Sequence, residues 1–182
     1  MARLGVGMAV GALLACALAA RLLARGHDPY RLAAWGLVVG LGGFAAVIFA
    51  APLQAPNLFR AGATLIGLGG GLFAVGTLTA AMGLDNGTGL HGLVIGAWGA
   101  VQATCAGVAM AFGGALRDAV GLLAGRGSLG EALQDPVTGY GVVYLVELAL
   151  LFATLAVIGP LVRRKRAHAA GRARFGLTEF PG

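Results

Sequence analysis

Five long apolar runs account for most of this chain, and each is long enough to cross a lipid bilayer as a helix. A hydrocarbon core of about 30 Å requires roughly 20 consecutive apolar residues in helical form. The chain has 11% charged residues, against about 25% in a typical soluble domain. We therefore predict an all-α membrane protein, with a transmembrane helical bundle over residues 1–162 and a basic cytoplasmic tail over 163–182. The five predicted spans are 4–23, 32–51, 61–82, 90–116 and 140–162.

The basic residues predict how the chain is oriented in the membrane. The net charge is +6, and the positive residues lie next to the apolar runs, which favours a role in topology over nucleic-acid binding. Placing the N-terminus in the periplasm and the C-terminus in the cytoplasm puts nine Lys and Arg residues inside and four outside. The cluster after the fifth run would also contact anionic lipid headgroups. The inside set is Arg21, Arg25, Arg31, Arg163, Arg164, Lys165, Arg166, Arg172 and Arg174, and the outside set is Arg3, Arg60, Arg117 and Arg126.

The first run has an alternative interpretation as a signal peptide, because Arg3 precedes it and Ala17-Leu18-Ala19 resembles a cleavage site. The charge distribution favours a retained helix, since Arg21, Arg25 and Arg31 all follow the run.

Glycine makes up 33 of the 182 residues and recurs inside the apolar runs. In lipid, small residues allow helix backbones to approach closely. The fourth run carries two rows of small residues spaced four apart, so each row follows one helix face. Either neighbouring helices pack on these rows, or the rows form a groove for a tetrapyrrole or a lipid tail. The rows are Gly92, Gly96, Ala100, Thr104 and Gly99, Ala103, Gly107, Ala111; Gly36–Gly40 and Gly67–Gly71 show the same pattern.

A carboxylate, Glu147, lies well inside the fifth run, with Tyr140, Tyr144 and Thr154 along the same helical stripe. A carboxylate at membrane depth is destabilising unless it is protonated or paired, which makes it a functional candidate. It either binds a partner, a proton or a pigment, or forms a structural hydrogen bond to a neighbouring helix.

His91 opens the fourth run and is either a ligand for the magnesium of a chlorophyll or simply a solvated or hydrogen-bonded side chain. We find no catalytic triad, paired-carboxylate motif, nucleotide-binding loop or metal cluster in the sequence, so we do not predict an enzyme. The connection 117–136 is either an ordinary loop or a short interfacial helix.

The short loop 21–31 resembles the cytoplasmic inter-helix loop of major facilitator transporters, in which such a loop acts as a gate latch. Arg25, Asp28 and Arg31 carry the resemblance. Asp28 either pairs with one of the two arginines or caps the following helix.

The whole set of motifs resembles the PucC/LhaA-type light-harvesting assembly proteins, the bacteriochlorophyll-delivery branch of the major facilitator superfamily. The matching stretches are RGHDPYRL at 25–32, GLFAVGTLTAAM at 71–82, GAWGAVQAT at 96–104, GGALRD at 113–118, GYGVVY at 139–144 and FGLTEFP at 175–181. The third stretch adds Trp98 and Gln102 to His91, Gly92, Gly96, Tyr140, Tyr144 and Glu147 as candidate contacts to pigment or partner. By this resemblance the five helices are the C-terminal part of a major facilitator fold.

The resemblance implies a membrane-embedded assembly or accessory subunit of a light-harvesting or reaction-centre complex. Its location would be the photosynthetic inner membrane of a bacterium, its partners light-harvesting polypeptides or the reaction centre, and its candidate cofactors bacteriochlorophyll or carotenoid. The family has about twelve helices, so a further chain supplying the missing helices is also expected. The alternatives are half of a split small-solute transporter, whose site would need both halves, and an inert fragment.

Overall fold

The computed structural model describes residues 2–83, 89–127, 130 and 137–175, and the side chains within 6–83, 89–127, 130 and 138–162. The described residues form five helices that are long and apolar enough to span a membrane, and no strand. The predicted all-α, five-helix architecture is therefore confirmed. The helices are α1 (Ala2–Ala24), α2 (Pro29–Ala50), α3 (Pro56–Met82), α4 (His91–Gly125) and α5 (Val137–Phe175).

Helix α3 begins five residues before its predicted span, and α4 and α5 continue well past the predicted ends of theirs. α4 was expected to end near Leu116, but it continues to Gly125. Residues 117–125 contain no proline and include good helix formers, so nothing in this sequence stops the helix there. Much of the connection predicted for 117–136 is therefore an extension of α4, and 128–129 and 131–136 lie outside the described residues. The backbone of α5 continues beyond Val162 to Phe175.

Helix α3 lies between α1 and α2 and contacts both through glycine. Towards α1, a Cβ at Gly67 would overlap the carbonyl oxygen of Met8, and a Cβ at Gly11 would overlap that of Thr64. A Cβ at Gly71 would lie 2.6 Å from the Cβ of Ala15. Two Gly-x-x-x-Gly pairs, 7/11 and 67/71, thus face each other across this contact, and the two backbones approach closely, as small residues permit in lipid.

The contact between α2 and α3 is also made of glycine, on a different face of α3. A Cβ at Gly69 would lie 2.6 Å from the carbonyl oxygen of Gly36, and a Cβ at Gly62 would lie 2.8 Å from that of Gly43. Gly76 continues this face one heptad further, against Ala33. Several of the glycines predicted at 36–40 and 67–71 to be helix-packing residues are therefore in contact with a neighbouring helix.

Helices α4 and α5 lie outside this three-helix unit. α5 packs on α2 through a small cluster of Ala33, Leu37 and Ile158, with Leu151 and Leu155 against it. α4 runs antiparallel to α5. Gly139, near the start of α5, lies against the backbone of Arg117, and a Cβ at the earlier residue Gly113 would lie 3.8 Å from a methyl carbon of the later residue Val143. Ala124 is the one buried residue of α4. α4 is therefore the least enclosed of the five helices.

Candidate partner-binding surface

The two small-residue rows of α4 meet no other helix within the described part of the chain. A Cβ at Gly92, Gly96, Gly99 or Gly107 would lie more than 4 Å from every described neighbour. All ten residues of 103–112 are exposed. Ten successive residues cover about three turns, so exposed residues occur on every side of this segment. Among the described residues, no helix packs on these rows as the packing interpretation predicted.

In the first turns of α4, one side of the helix faces α3 and the rest of the bundle, and the other side is exposed. Trp98 is half-buried, and its indole Nε1 donates a hydrogen bond of 3.3 Å to the Thr77 hydroxyl of α3. Gln102, one turn further, is also half-buried, whereas His91, Gly92 and Gly96 are exposed. Of the predicted contacts on α4, Trp98 and Gln102 thus face the bundle, and the other three face outwards.

The start of α5 is joined to α4 by an aromatic and ionic cluster. Arg117 donates a hydrogen bond of 2.6 Å to Asp118 and another of 3.2 Å to the Tyr140 hydroxyl. Its guanidinium also lies 5.3 Å from the centroid of the Tyr140 ring, a cation–π distance. Tyr140 is therefore engaged in holding α4 to α5.

Tyr144 and Glu147 follow on the same side of α5. The Tyr144 ring packs against Phe44 of α2, with centroids 6.3 Å apart and planes tilted by 57°. Glu147 is half-buried, and among the described residues no hydrogen bond or ion pair satisfies its carboxylate. The predicted structural hydrogen bond from Glu147 to a neighbouring helix is thus not found among the described residues.

The antiparallel contacts of α4 and α5 fix the depth of Glu147. Gly113 lies beside Val143, and one turn further along both helices Glu147 lies level with Ala109. Glu147 therefore lies at the depth of the exposed segment 103–112. The predicted contacts do not converge on one point, because His91 and Gly92 begin α4 whereas Tyr140 lies opposite Arg117, near the far end of that helix.

In the loop before α2, the structure decides between the two roles considered for Asp28. Its carboxylate accepts a hydrogen bond of 2.8 Å from the backbone N–H of Tyr30 and so caps α2, with Pro29 at the first helical position. Asp28 forms no ion pair with Arg25 or Arg31 in the described structure. Gly26 has φ +79°, a left-handed conformation that glycine adopts readily, and it lets the chain reverse after α1.

Sequence reasoning missed three contact residues. Thr77, Phe44 and Arg117 are the partners of Trp98, Tyr144 and Tyr140. The GGALRD motif that contains Arg117 was a usable signal, because a charged residue inside an apolar helix needs a partner. Phe44 and Thr77 gave no such signal. In the described residues, no group of three His, Cys, Asp or Glu residues could hold a metal ion.

Comparison with known proteins identifies the family. The family model of the PUCC protein matches residues 2–166. The chain belongs to the PUCC family. Among its relatives, an uncharacterised protein of the puhA-bchM intergenic region of Rhodobacter capsulatus is 48% identical over 98% of this chain. Protein PucC of Rhodovulum sulfidophilum is 49% identical over 65% of the chain, and Protein PucC of Cereibacter sphaeroides is 43% identical over 88%. No solved structure matches the chain.

This PUCC-family chain spans only part of the length of these relatives. The matches cover 38%, 26% and 34% of the three proteins, in the same order. The chain therefore spans well under half the length of each of these relatives.

Proposed function

We propose that this chain is a membrane-embedded assembly or accessory subunit of a bacterial light-harvesting or reaction-centre complex. The observation that supports this proposal most is its membership of the PUCC family, with 43–49% identity to two PucC proteins. Its partners would be light-harvesting polypeptides or the reaction centre, and bacteriochlorophyll or carotenoid would be the pigment handled. It would act in the photosynthetic inner membrane, with the N-terminus periplasmic and the basic tail cytoplasmic.

Two features of the structure support a binding role at membrane depth. Glu147 has no hydrogen-bonding or ionic partner in the described residues, and a carboxylate in hydrocarbon gains most from a donor supplied by a partner. The three turns of α4 at the same depth, 103–112, are exposed. Together they provide a polar contact point next to a helix whose small side chains permit close approach.

The test is purification of the tagged chain from the membranes of a phototrophic host in mild detergent. We expect antenna polypeptides to co-purify, with bacteriochlorophyll absorption in the near infrared. Glu147→Gln removes the charge but keeps the shape, and should lower the co-purified antenna several-fold. Leu145→Ala, at an exposed position of the same helix, is the matched control and should change nothing. A chain that purifies alone and colourless would refute the proposal.

Half of a split small-solute transporter is the second candidate, and Glu147 is the observation that favours it, because intramembrane carboxylates can carry protons. This candidate requires solute uptake that falls when Glu147 is replaced by Gln. An uptake rate that is unchanged in Glu147→Gln would exclude its proton-coupled form.

A further inference from the structure

Two arginines at the corner between α1 and α2 have no polar partner for their side chains among the described residues. Arg25 directly follows α1, Arg31 lies in the first turn of α2, and both are exposed. The one acidic residue of this corner, Asp28, accepts a hydrogen bond of 2.8 Å from the backbone N–H of Tyr30 and forms no ion pair with either arginine in the described structure. The two corner arginines therefore carry positive charge that no carboxylate in the described part of the chain neutralises.

Two arginines at the opposite end of the bundle do have polar partners. Arg60, in the first turns of α3, donates a hydrogen bond of 3.4 Å to Asn57, and Arg117 forms an ion pair of 2.6 Å with Asp118. The α1–α2 corner thus differs from them, because within the described structure only solvent, lipid or a bound ligand is left to contact its two guanidinium groups.

An apolar stripe on the outside of α2 continues directly from this corner. This outer stripe consists of Trp35, Val38 and Gly42. Counting from Arg31, the intervals are four, three and four residues, so all of them share one helix face. Trp35 is 66% exposed, Val38 is 49% exposed, and a Cβ at Gly42 would meet no atom within 4 Å. The residues of α2 that contact α3 and α5 lie on other faces of the helix, so the outer stripe faces away from the bundle.

A charged corner that continues into an apolar stripe matches an amphipathic anion better than a free one. A guanidinium binds phosphate oxygens through two parallel N–H···O bonds, and basic residues at a membrane surface attract anionic headgroups. Tryptophan is enriched at the level of the headgroups, and Trp35 lies one turn below Arg31 on the same face of α2. A free phosphate ion would contact the arginines alone, whereas a phospholipid also covers the outer stripe with an acyl chain.

We infer that the two corner arginines and the outer stripe of α2 form a binding site for one anionic phospholipid. The arginines hold its phosphate, and an acyl chain lies along the stripe. This site is distinct from the headgroup contact predicted for the basic tail, because it is made by the end of α1 and the outer face of α2. It does not involve Glu147, so lipid binding here is independent of the proposed function.

Lipids brominated in their acyl chains test this site, because bromine quenches tryptophan fluorescence on contact. The chain has two tryptophans, so the full chain carrying Trp98→Phe reports on Trp35 alone. This protein is reconstituted into vesicles in which zwitterionic phosphatidylcholine is exchanged stepwise for anionic phosphatidylglycerol, with one of the two lipids brominated. We expect phosphatidylglycerol to occupy the position beside Trp35 with a preference on the order of tenfold over phosphatidylcholine.

Substitution of the arginines assigns this preference to the corner. Replacing both Arg25 and Arg31 by Gln should abolish the preference for phosphatidylglycerol, whereas replacing both by Lys, which keeps the charges, should retain most of it. Arg60→Gln is the matched control, because Arg60 is an exposed arginine at the opposite end of the bundle, and it should leave the preference unchanged. Far-ultraviolet circular dichroism checks that each variant is folded.

Three results would overturn the assignment. Equal quenching by the two lipids would show that no anionic phospholipid is selected, and a preference that survives the double Gln substitution, or is lost equally in Arg60→Gln, would place its origin elsewhere. Loss of the preference on addition of inorganic phosphate at constant ionic strength would identify a free-phosphate site instead. Antenna co-purification is scored separately, so failure of the lipid prediction is distinguishable from failure of the proposed function.

Discussion

A single added methyl group at Gly69 should destabilise this bundle strongly, although alanine is the better helix former. The Cβ would lie 2.6 Å from the carbonyl oxygen of Gly36 and 2.7 Å from the backbone nitrogen of Gly40. Ordinary contacts of a Cβ begin near 3.4 Å, so α2 and α3 must separate by about 0.8 Å. Both clashing atoms belong to the backbone of α2, so no side-chain rotation can relieve the contact.

The magnitude follows from overpacking in a well-packed core, which destabilises by about 1–3 kcal/mol. Since 1.4 kcal/mol corresponds to a factor of ten, the unfolding equilibrium constant of Gly69→Ala should rise by about 5- to 140-fold. Gly42→Ala is the matched control on the neighbouring helix, because a Cβ at exposed Gly42 would meet no atom within 4 Å. Gly42→Ala should raise the free energy of unfolding by less than about 1 kcal/mol, as expected for Gly→Ala in a helix.

The free energy of unfolding of both variants can be measured by reversible unfolding in mixed micelles. The micelles are titrated with a denaturing detergent, and helix content is followed by far-ultraviolet circular dichroism. If Gly69→Ala proved no less stable than Gly42→Ala, α2 and α3 would not be in backbone contact, and glycine would not be the residue that permits their close approach.

Three further predictions use the same unfolding measurement. Asp28→Ala should lower the free energy of unfolding by about 1 kcal/mol, because it removes the cap of α2, whereas Asp28→Asn, which can still accept the bond, should lower it much less; equal losses would exclude capping. Trp98→Phe and Thr77→Val should each lower the free energy of unfolding by about 0.6 kcal/mol, and the double variant should lower it by clearly less than the sum of the two. Strictly additive losses would mean that the two side chains do not interact. Tyr140→Phe should lower it by about 0.5–1.5 kcal/mol and Arg117→Ala by more, because only the second change also removes the cation–π contact; the reverse order would contradict the described cluster.

The number of helices could be predicted because run length and low charge are properties of each segment alone. The end of α4 could not, because Arg117 and Asp118 resemble the beginning of a loop until the structure shows their ion pair and the contact with Tyr140. The sequence left two roles open for Asp28, an ion pair with an arginine or a cap for α2. Only its hydrogen bond from the backbone N–H of Tyr30 distinguishes them.

The candidate site shows a different limit of sequence reasoning. Spacing placed Tyr140, Tyr144 and Glu147 on one stripe of α5, and the structure agrees that the first two face neighbouring helices. Spacing could not show that His91 and Tyr140 lie at opposite ends of the α4–α5 pair, because that depends on the antiparallel register. Residue spacing also could not show that Glu147 lacks a hydrogen-bonding or ionic partner among the described residues, because that depends on the side chains of every neighbouring helix.

Glycine spacing itself does not distinguish a contact that is made within the chain from one that is left open. Gly67 and Gly71 on α3 have the same four-residue spacing as Gly92 and Gly96 on α4, yet the first pair is packed against α1 and the second faces outwards. The difference lies in what is present to pack against. The α1–α3 contact and the exposed face of α4 should therefore be separable, since substitutions on the exposed face of α4 are expected to leave detergent unfolding unchanged.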